Sequence, residues 1–322
     1  MSLLPLVLPN PAWGVALAFT AMLIYGVCMV MVSAFDQGQG LGSGPGSMLA
    51  ALAGIPVGLL LAGWRGLTPP GIAWPDGEAL VYFILAGIAS TYLGRWLVFR
   101  SIELVGPGNA SGLQSTSPLI TAAFGWVFLN EALDLWGMTG IGLGIAGLLL
   151  MSMGVQPTLS PAGQRARGAQ RGMATAALLV GLGSACAYSA SHIWRAAAVR
   201  QWNEPLLGAA IGALAGTLAL VLGCRSRWGG YVAQARAHPR AAGAYVAAGA
   251  LQVMAQALVI ASMKFIPAGV TALVSMCTPL AVMPLSFLLL RNRERLRQAT
   301  VWGICITLAG IALVVLFGDS RS

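Results

Sequence analysis

Long apolar runs of about 20 residues recur along the whole chain and alternate with short polar segments. A helix of this length is what crossing the hydrocarbon core of a bilayer requires. The runs show no period-two alternation, so a membrane β-barrel is excluded. The pattern predicts ten spans, at 12–34, 46–64, 79–103, 108–130, 135–154, 172–199, 204–223, 240–265, 268–290 and 298–317.

The second half of this pattern repeats the first at an offset of 161 to 163 residues. Five spans per unit is an odd number, which would invert the second copy relative to the first. Inverted repeats are typical of secondary transporters, with the substrate site at the repeat interface. The sequence therefore predicts an all-α membrane protein of two inverted five-helix repeats. The matching residues are Tyr25 with Tyr188, Pro118-Leu119 with Pro279-Leu280, Glu131 with Glu294, Gly140-Ile141 with Gly303-Ile304 and Ala146-Gly147 with Ala309-Gly310.

The segment 155–171 is polar and interrupted by proline and glycine, and it is the predicted connection between the repeats. The first repeat then covers 12–154 and the second covers 172–317. A site built between two repeats requires both of them. We therefore expect a single membrane domain.

Composition supports a location in the membrane, with 57% hydrophobic and 8% charged residues, against about 25% charged in soluble domains. The five cysteines are scattered and form no C-x-x-C pair, so neither a metal nor another cofactor is expected. The net charge of +9 suits basic loops that orient a membrane protein, and no nucleic-acid partner is expected. The first residues have no basic region, so we expect no cleavable signal peptide.

The basic residues are distributed unevenly between the two predicted faces of the membrane. Basic loops mark the cytoplasmic side, so the count predicts that both termini lie outside. One face receives Arg100, Arg165, Arg167, Arg171, Arg225, Arg227, Arg236, Arg240, Arg291, Arg293, Arg295 and Arg297. The other face receives Arg65, Arg195, Arg200, Lys264 and Arg321, and Arg95 stands inside a span.

Residues 99–150 and 262–315 share a basic helix end, a small-residue span, a Pro-Leu turn, a Glu-x-Leu and a glycine-rich span. The turns are Ser117-Pro118-Leu119 and Thr278-Pro279-Leu280, and the acidic motifs are Glu131-Ala132-Leu133 and Glu294-Arg295-Leu296. This pattern resembles two EamA-type units of the drug/metabolite transporter superfamily.

The resemblance implies a ten-helix carrier of the cell (inner) membrane that moves a small metabolite or xenobiotic, often outward. It implies a cavity lined by the first, third and fourth spans of each half. It also implies cytoplasmic termini, which is the opposite of what the arginine count predicts.

Arg95 is the sharpest candidate for substrate binding, because an ionisable group inside a span is costly and usually functional. Its guanidinium suits a carboxylate or phosphate, so an anionic or zwitterionic substrate is favoured. Thr91 stands one turn earlier on the same face. The alternative is that Arg95 snorkels to the basic surface or bonds to helix carbonyls.

Further polar side chains stand inside the spans expected to line the cavity. Tyr25 and Tyr188 can stack on a substrate and donate a hydrogen bond, or lie in an interfacial aromatic belt. His192, one turn beyond Tyr188, is either a proton carrier or a packing residue. The remaining candidates are Gln252 and Gln256, with helix-to-helix bonding as their alternative, and Gln114 and Ser275.

Pro118 and Pro279 follow polar runs in the fourth and ninth spans, and each is predicted to kink its helix. Gly140, Gly147, Gly303 and Gly310 lie on one face of the fifth and tenth spans, where they favour close helix packing or a homodimer.

The leading prediction is thus an alternating-access carrier of a small-molecule substrate. The alternatives are a channel or a non-transporting membrane scaffold. An intramembrane enzyme is disfavoured, because the two histidines, His192 and His238, have no carboxylate near them in sequence.

Overall fold

The structure, a computed structural model, describes residues 11–36, 41, 43–68, 76–105, 113–114, 116–131, 135–154, 172–278, 281–282, 285 and 298–317. Regular structure in these ranges is helical throughout, and no strand occurs in them. The chain is rich in alanine, leucine and glycine, and a helix satisfies its own backbone hydrogen bonds in an apolar surrounding.

The first half contains α1 (Pro11–Asp36), α2 (Ser43–Leu67), α3 (Gly77–Gly87), a π-helix (Ile88–Gly94), α4 (Arg95–Val105), α5 (Ser117–Leu129) and α6 (Leu135–Gly154). The second half contains α7 (Gly172–Gln201), α8 (Pro205–Gly223), a short 3₁₀ turn (Arg225–Arg227), α9 (Trp228–Ala237), α10 (Pro239–Ser262), α11 (Ala268–Met276) and α12 (Gln298–Phe317). Helix α9 was not predicted; none of its residues is buried, and Tyr231 contacts Gly44 at the start of α2.

Five of the described helical segments are long and apolar enough to cross a membrane, at Pro11–Val32, Gly44–Leu67, Gly77–Val98, Pro205–Gly223 and Pro239–Ser262. Two shorter apolar segments, Ser117–Leu129 and Leu135–Gly147, coincide with the fourth and fifth predicted spans. The structure thus confirms that the regular structure of the described residues is helical and that five helical segments are apolar and long enough to cross a membrane. Ten crossings remain a prediction.

Most helix contacts described below occur twice. A contact made by a helix of one half is matched by a contact of its counterpart in the other half. Helix α1 packs against α10 and α11, and its counterpart α7 packs against α3, α4 and α5. Helix α2 packs against α10, and its counterpart α8 packs against α3. Three contacts join equivalent helices directly, namely α2 with α8, α5 with α11 and α6 with α12. This is the contact pattern of two halves related by a two-fold axis.

Small residues create two equivalent close approaches between helices. Along α2, Gly46, Ala50 and Gly54 meet Tyr245, Gly249 and Val253 of α10. Each residue has its counterpart 162 positions away, where Gly208, Gly212 and Gly216 of α8 meet Phe83, Gly87 and Thr91. A Cβ on Gly87 would lie 2.1 Å from the Gly212 carbonyl oxygen, so the two backbones touch. The two-fold relation thus extends to individual contacts.

The glycine-bearing faces of α6 and α12 pack against each other within the chain. A Cβ on Gly147 would lie 2.6 Å from the Gly303 carbonyl oxygen, and one on Gly310 would lie 2.5 Å from that of Gly140. This face is therefore occupied inside the molecule. A homodimer remains a prediction, and it would need another surface.

The bundle has two different ends. At one end, which we call the ion-pair end, Arg65 pairs with Glu204 and Arg200 pairs with Glu131. The other, which we call the basic end, carries the exposed arginines of α9 and its flanks. The largest buried cluster lies toward the ion-pair end and includes Phe83, Trp202, Ile260 and Met263.

Candidate functional site

A π-helix interrupts the third span at Ile88–Gly94, directly before Arg95. Short π segments break the regular hydrogen-bond ladder and occur frequently at functional sites. Here the Ala86 carbonyl accepts hydrogen bonds from two serine hydroxyls, Ser90 at 2.9 Å and Ser191 of α7 at 2.9 Å. The π-helix is thus tied to α7. Gly94 closes the contact, because a Cβ there would lie 2.9 Å from the Tyr188 ring.

Arg195 is the charged side chain that sequence reasoning missed. It was expected at the membrane surface, but it is only 5% exposed, and its Nη2 donates to the Ser90 hydroxyl at 2.7 Å. Tyr188, His192 and Arg195 stand at i, i+4 and i+7 and so share one face of α7. That spacing was the signal in the sequence. Arg195 lies near the end of the predicted span 172–199, whereas α7 continues to Gln201.

Arg95 begins α4 and is half-buried, inside the bundle. Its Nη1 donates to the Ser47 carbonyl of α2 at 3.1 Å, and its guanidinium lies within hydrogen-bonding reach of the Tyr188 hydroxyl. Among the described side chains, no carboxylate pairs with Arg95 or Arg195. Glu131 and Glu204 are paired with other arginines.

Tyr25 of α1 lies near Arg95, Tyr188 and Arg195 on a third helix. It also packs against the largest buried cluster. Both tyrosines are half-buried and stand near the middle of their helices. We call Tyr25, Arg95, Tyr188 and Arg195 the arginine–tyrosine site. It joins α1 and α4 of the first half to α7 of the second.

His192 lies beside Arg195 and is 6% exposed. Its Nδ1 has no hydrogen-bond partner among the described residues. Buried polar atoms usually have a partner, so this nitrogen is an exception among the described residues. The role of proton carrier stays a prediction.

The other candidates make their described contacts with residues outside this group. Thr91 packs against Gly216 of α8. Gln114 accepts a hydrogen bond from Ser184 at 2.7 Å, and Ser275 is buried and donates to the Thr271 carbonyl at 2.8 Å. Gln252 and Gln256 are half-buried on α10, which packs against α1 and α2. No hydrogen bond or ion pair found in the described ranges joins these five residues to the arginine–tyrosine site.

Pro118 lies in the first turn of α5, where a missing N–H breaks no helical hydrogen bond. Helix α5 begins at Ser117, and just before it the Thr116 N–H donates to the Leu113 carbonyl at 3.2 Å. Pro279 lies outside the described residues.

Glu131 ties three helices together at the ion-pair end. It is 5% exposed, pairs with Arg200 at the end of α7, and accepts the Ala268 N–H at 3.0 Å at the start of α11. Asn130, with φ of 51°, turns the chain so that Glu131 can reach these partners. Burial raises the pKa of the Glu131 carboxyl, and the Arg200 guanidinium and the Ala268 N–H oppose that rise.

Arg65 and Glu204 make a second contact between the halves at the same end. The Arg65 Nε and Nη2 donate to the two carboxylate oxygens of Glu204 at 2.7 and 2.5 Å. This bidentate geometry is the strong form of the pair. It fixes the end of α2 to the start of α8.

The chain is similar to a known family in sequence and to a solved structure in fold. The sequence model of the EamA-like transporter family matches residues 12–153 and 175–316. One solved structure, described only as the crystal structure of a protein, superimposes with a TM-score of 0.70 and 16% identity, covering 96% of this chain and 97% of that chain. At that identity the likeness shows the fold alone. No curated protein matches the chain in sequence.

Proposed function

Because this chain belongs to the EamA-like transporter family, we propose that it is a secondary carrier that exports a small anionic or zwitterionic metabolite or xenobiotic. The family consists of membrane transporters rather than enzymes, and the apolar helices agree with a multi-pass membrane protein. The chain is thus a membrane transporter of the drug/metabolite type.

The observation that carries the substrate class is the arginine–tyrosine site. Two guanidiniums without a described carboxylate partner meet two phenols between the halves. Guanidiniums bind carboxylate or phosphate through parallel hydrogen bonds, and a phenol adds a hydrogen bond and a ring face. Such a group binds an anion. An anion also neutralises charges that are costly to bury alone.

Alternating access is supported by the two-fold contact pattern and by the ion-pair end. The proposed scaffold has ten helices in two inverted repeats, 12–154 and 172–317, which rock about the site. Glu131 and Glu204 each link the halves at one end, next to the largest buried cluster. We assign this end as closed in the present state.

Direction is inferred from the distribution of arginines. If the basic end is cytoplasmic, the closed ion-pair end faces outward and the site is reached from inside. Export would then begin by loading a cytoplasmic solute.

The test begins with a screen in which anionic and zwitterionic metabolites are added to purified protein, because a ligand of the native state raises its melting temperature. The most stabilising compound is then loaded into proteoliposomes containing the protein. A carrier shows saturable uptake that an opposing gradient of unlabelled compound accelerates. Non-saturable flux without counterflow would indicate a channel, and binding without flux would indicate a non-transporting scaffold.

A further inference from the structure

We propose that the substrate carries two anionic groups, one bound by Arg95 and the other by Arg195. This inference rests on the proposed carrier function and narrows its substrate class from anions and zwitterions to dianions. It concerns the same arginine–tyrosine site.

The two guanidiniums are anchored on different helices. Arg195 donates to Ser90 at 2.7 Å, whereas Arg95 donates to Ser47 at 3.1 Å. Ser90 lies on the π-helix and Ser47 lies on α2, so each guanidinium has its own hydrogen-bond partner. The two cations therefore suit two anionic groups separated by a short linker better than they suit a single carboxylate.

Charge balance also favours a substrate with two anionic groups. A monoanion in this site would leave one guanidinium inside the bundle uncompensated, which is unfavourable in a region of low dielectric. A zwitterion would add an ammonium beside two guanidiniums, and neither described buried carboxylate is free to receive it, since Glu131 and Glu204 are paired elsewhere. A dianion neutralises both arginines.

The site retains unused hydrogen-bonding capacity for such a ligand. A guanidinium has five N–H donors, and Ser90 accepts from one of those of Arg195. The neighbouring His192 Nδ1 has no partner among the described residues. The two phenols lie beside the arginines and can stack on the linker between the anionic groups.

The experiment measures binding to the purified full-length protein by calorimetry. The probes are linear dicarboxylates from malonate to adipate, with butyrate as the monoanion and γ-aminobutyrate as the zwitterion. The best dicarboxylate is expected to bind about tenfold or more tightly than butyrate, because it gains a second charge-assisted contact. Arg195→Gln should reduce this ratio to about one, Arg195→Lys should retain part of it, and the exposed Lys264→Gln should leave it unchanged.

The inference is overturned if butyrate or γ-aminobutyrate binds as tightly as every dicarboxylate, or if Arg195→Gln weakens all probes equally while Arg195→Lys restores nothing. In that event saturable counterflow of another compound would leave the carrier function intact. If instead the protein binds dicarboxylates with the expected ratio but moves none of them across proteoliposomes, the carrier function fails and the dianion site stands.

Discussion

At the scale of single residues, Arg195 is a buried charge that destabilises the folded protein. It is 5% exposed, and among the described residues its guanidinium donates a hydrogen bond to the Ser90 hydroxyl. Burying a charge without a counter-charge costs free energy. Arg195 therefore lowers the stability of the unliganded protein, and a bound anion would compensate its charge.

Replacing Arg195 with methionine should separate the effect of its charge on stability from its effect on anion binding. Arg195→Met keeps the volume and removes the charge, so the unliganded protein should gain about 1 kcal/mol or more of stability while ligand stabilisation disappears. Melting temperatures with and without the screened compound test both effects. A clearly lower melting temperature of unliganded Arg195→Met would show that the charge has a structural counter-ion and contradict the account.

The candidate residues show what a sequence can and cannot give at this scale. Tyr25, Tyr188 and Arg95 could be selected because polar groups are costly inside spans, and the structure brings these three together. Thr91 and Gln114 satisfied the same criterion, yet they contact neighbouring helices. Which face of a helix points inward depends on packing. The π-helix, which shifts that face by changing the number of residues per turn, has no clear sequence signature.

At the scale of elements, the π-helix positions Tyr188 through Gly94. A side chain at Gly94 would need the space of the Tyr188 ring, 2.9 Å away, and of the Ala89 carbonyl. We expect Gly94→Ala to displace Tyr188 and to weaken ligand binding by about tenfold or more, on the scale of a lost hydrogen bond to a charged group.

The matched control for this change is Gly63→Ala in α2, where a Cβ would meet no atom within 4 Å. It should leave binding unchanged and stabilise the helix by about 0.5–1 kcal/mol. Titration of both variants with the screened compound checks the pair. Equal binding by Gly94→Ala and the unmodified protein would remove the π-helix from the site.

The ion-pair end offers a second prediction at the scale of elements. Glu131→Gln removes the charge that holds Arg200 while keeping the volume, so the closed end should open more often. Arg200 is 36% exposed and can turn to water, which limits the cost to about 1–2 kcal/mol.

A cysteine at Met263, a position 1% exposed at this end, would report opening by its rate of reaction with a maleimide after the five native cysteines are replaced. The rate should rise in Glu131→Gln and stay the same in the control Glu78→Gln, whose side chain is exposed. An unchanged rate in Glu131→Gln would mean that Glu131 does not hold the end closed.

At the scale of the whole molecule, two halves share one architecture and differ in the residues at its centre. The offset of 161 to 163 in the sequence predicted two repeats, and the family match over 12–153 and 175–316 agrees with them. Symmetric contacts such as Gly46 with Tyr245 and Gly208 with Phe83 could not be predicted, because glycine and alanine are too frequent in this chain to single out. His192 and Arg195 correspond to Met29 and Val32 in the first half, so we expect substrate specificity to depend on these asymmetric positions.

Orientation is a property of the whole molecule, and the arginine count opposes the arrangement implied by the family. A reporter fused after Ser322 that is active only in the cytoplasm should be silent, because the basic end is expected inside and both termini outside. The same reporter inserted between residues 160 and 161 should be active. The reverse pattern would place the ion-pair end in the cytoplasm and reverse the proposed direction.

The central claim is that a solute crosses the membrane by binding at the arginine–tyrosine site between the halves. Its most direct test is counterflow of the most stabilising screened compound in proteoliposomes that contain the unmodified protein, Arg95→Ala, Arg195→Gln or the control Lys264→Gln. We predict saturable counterflow for the unmodified protein and for Lys264→Gln, and a loss of about tenfold or more for each site variant. Transport by Arg95→Ala and Arg195→Gln at the unmodified rate and affinity would contradict the account.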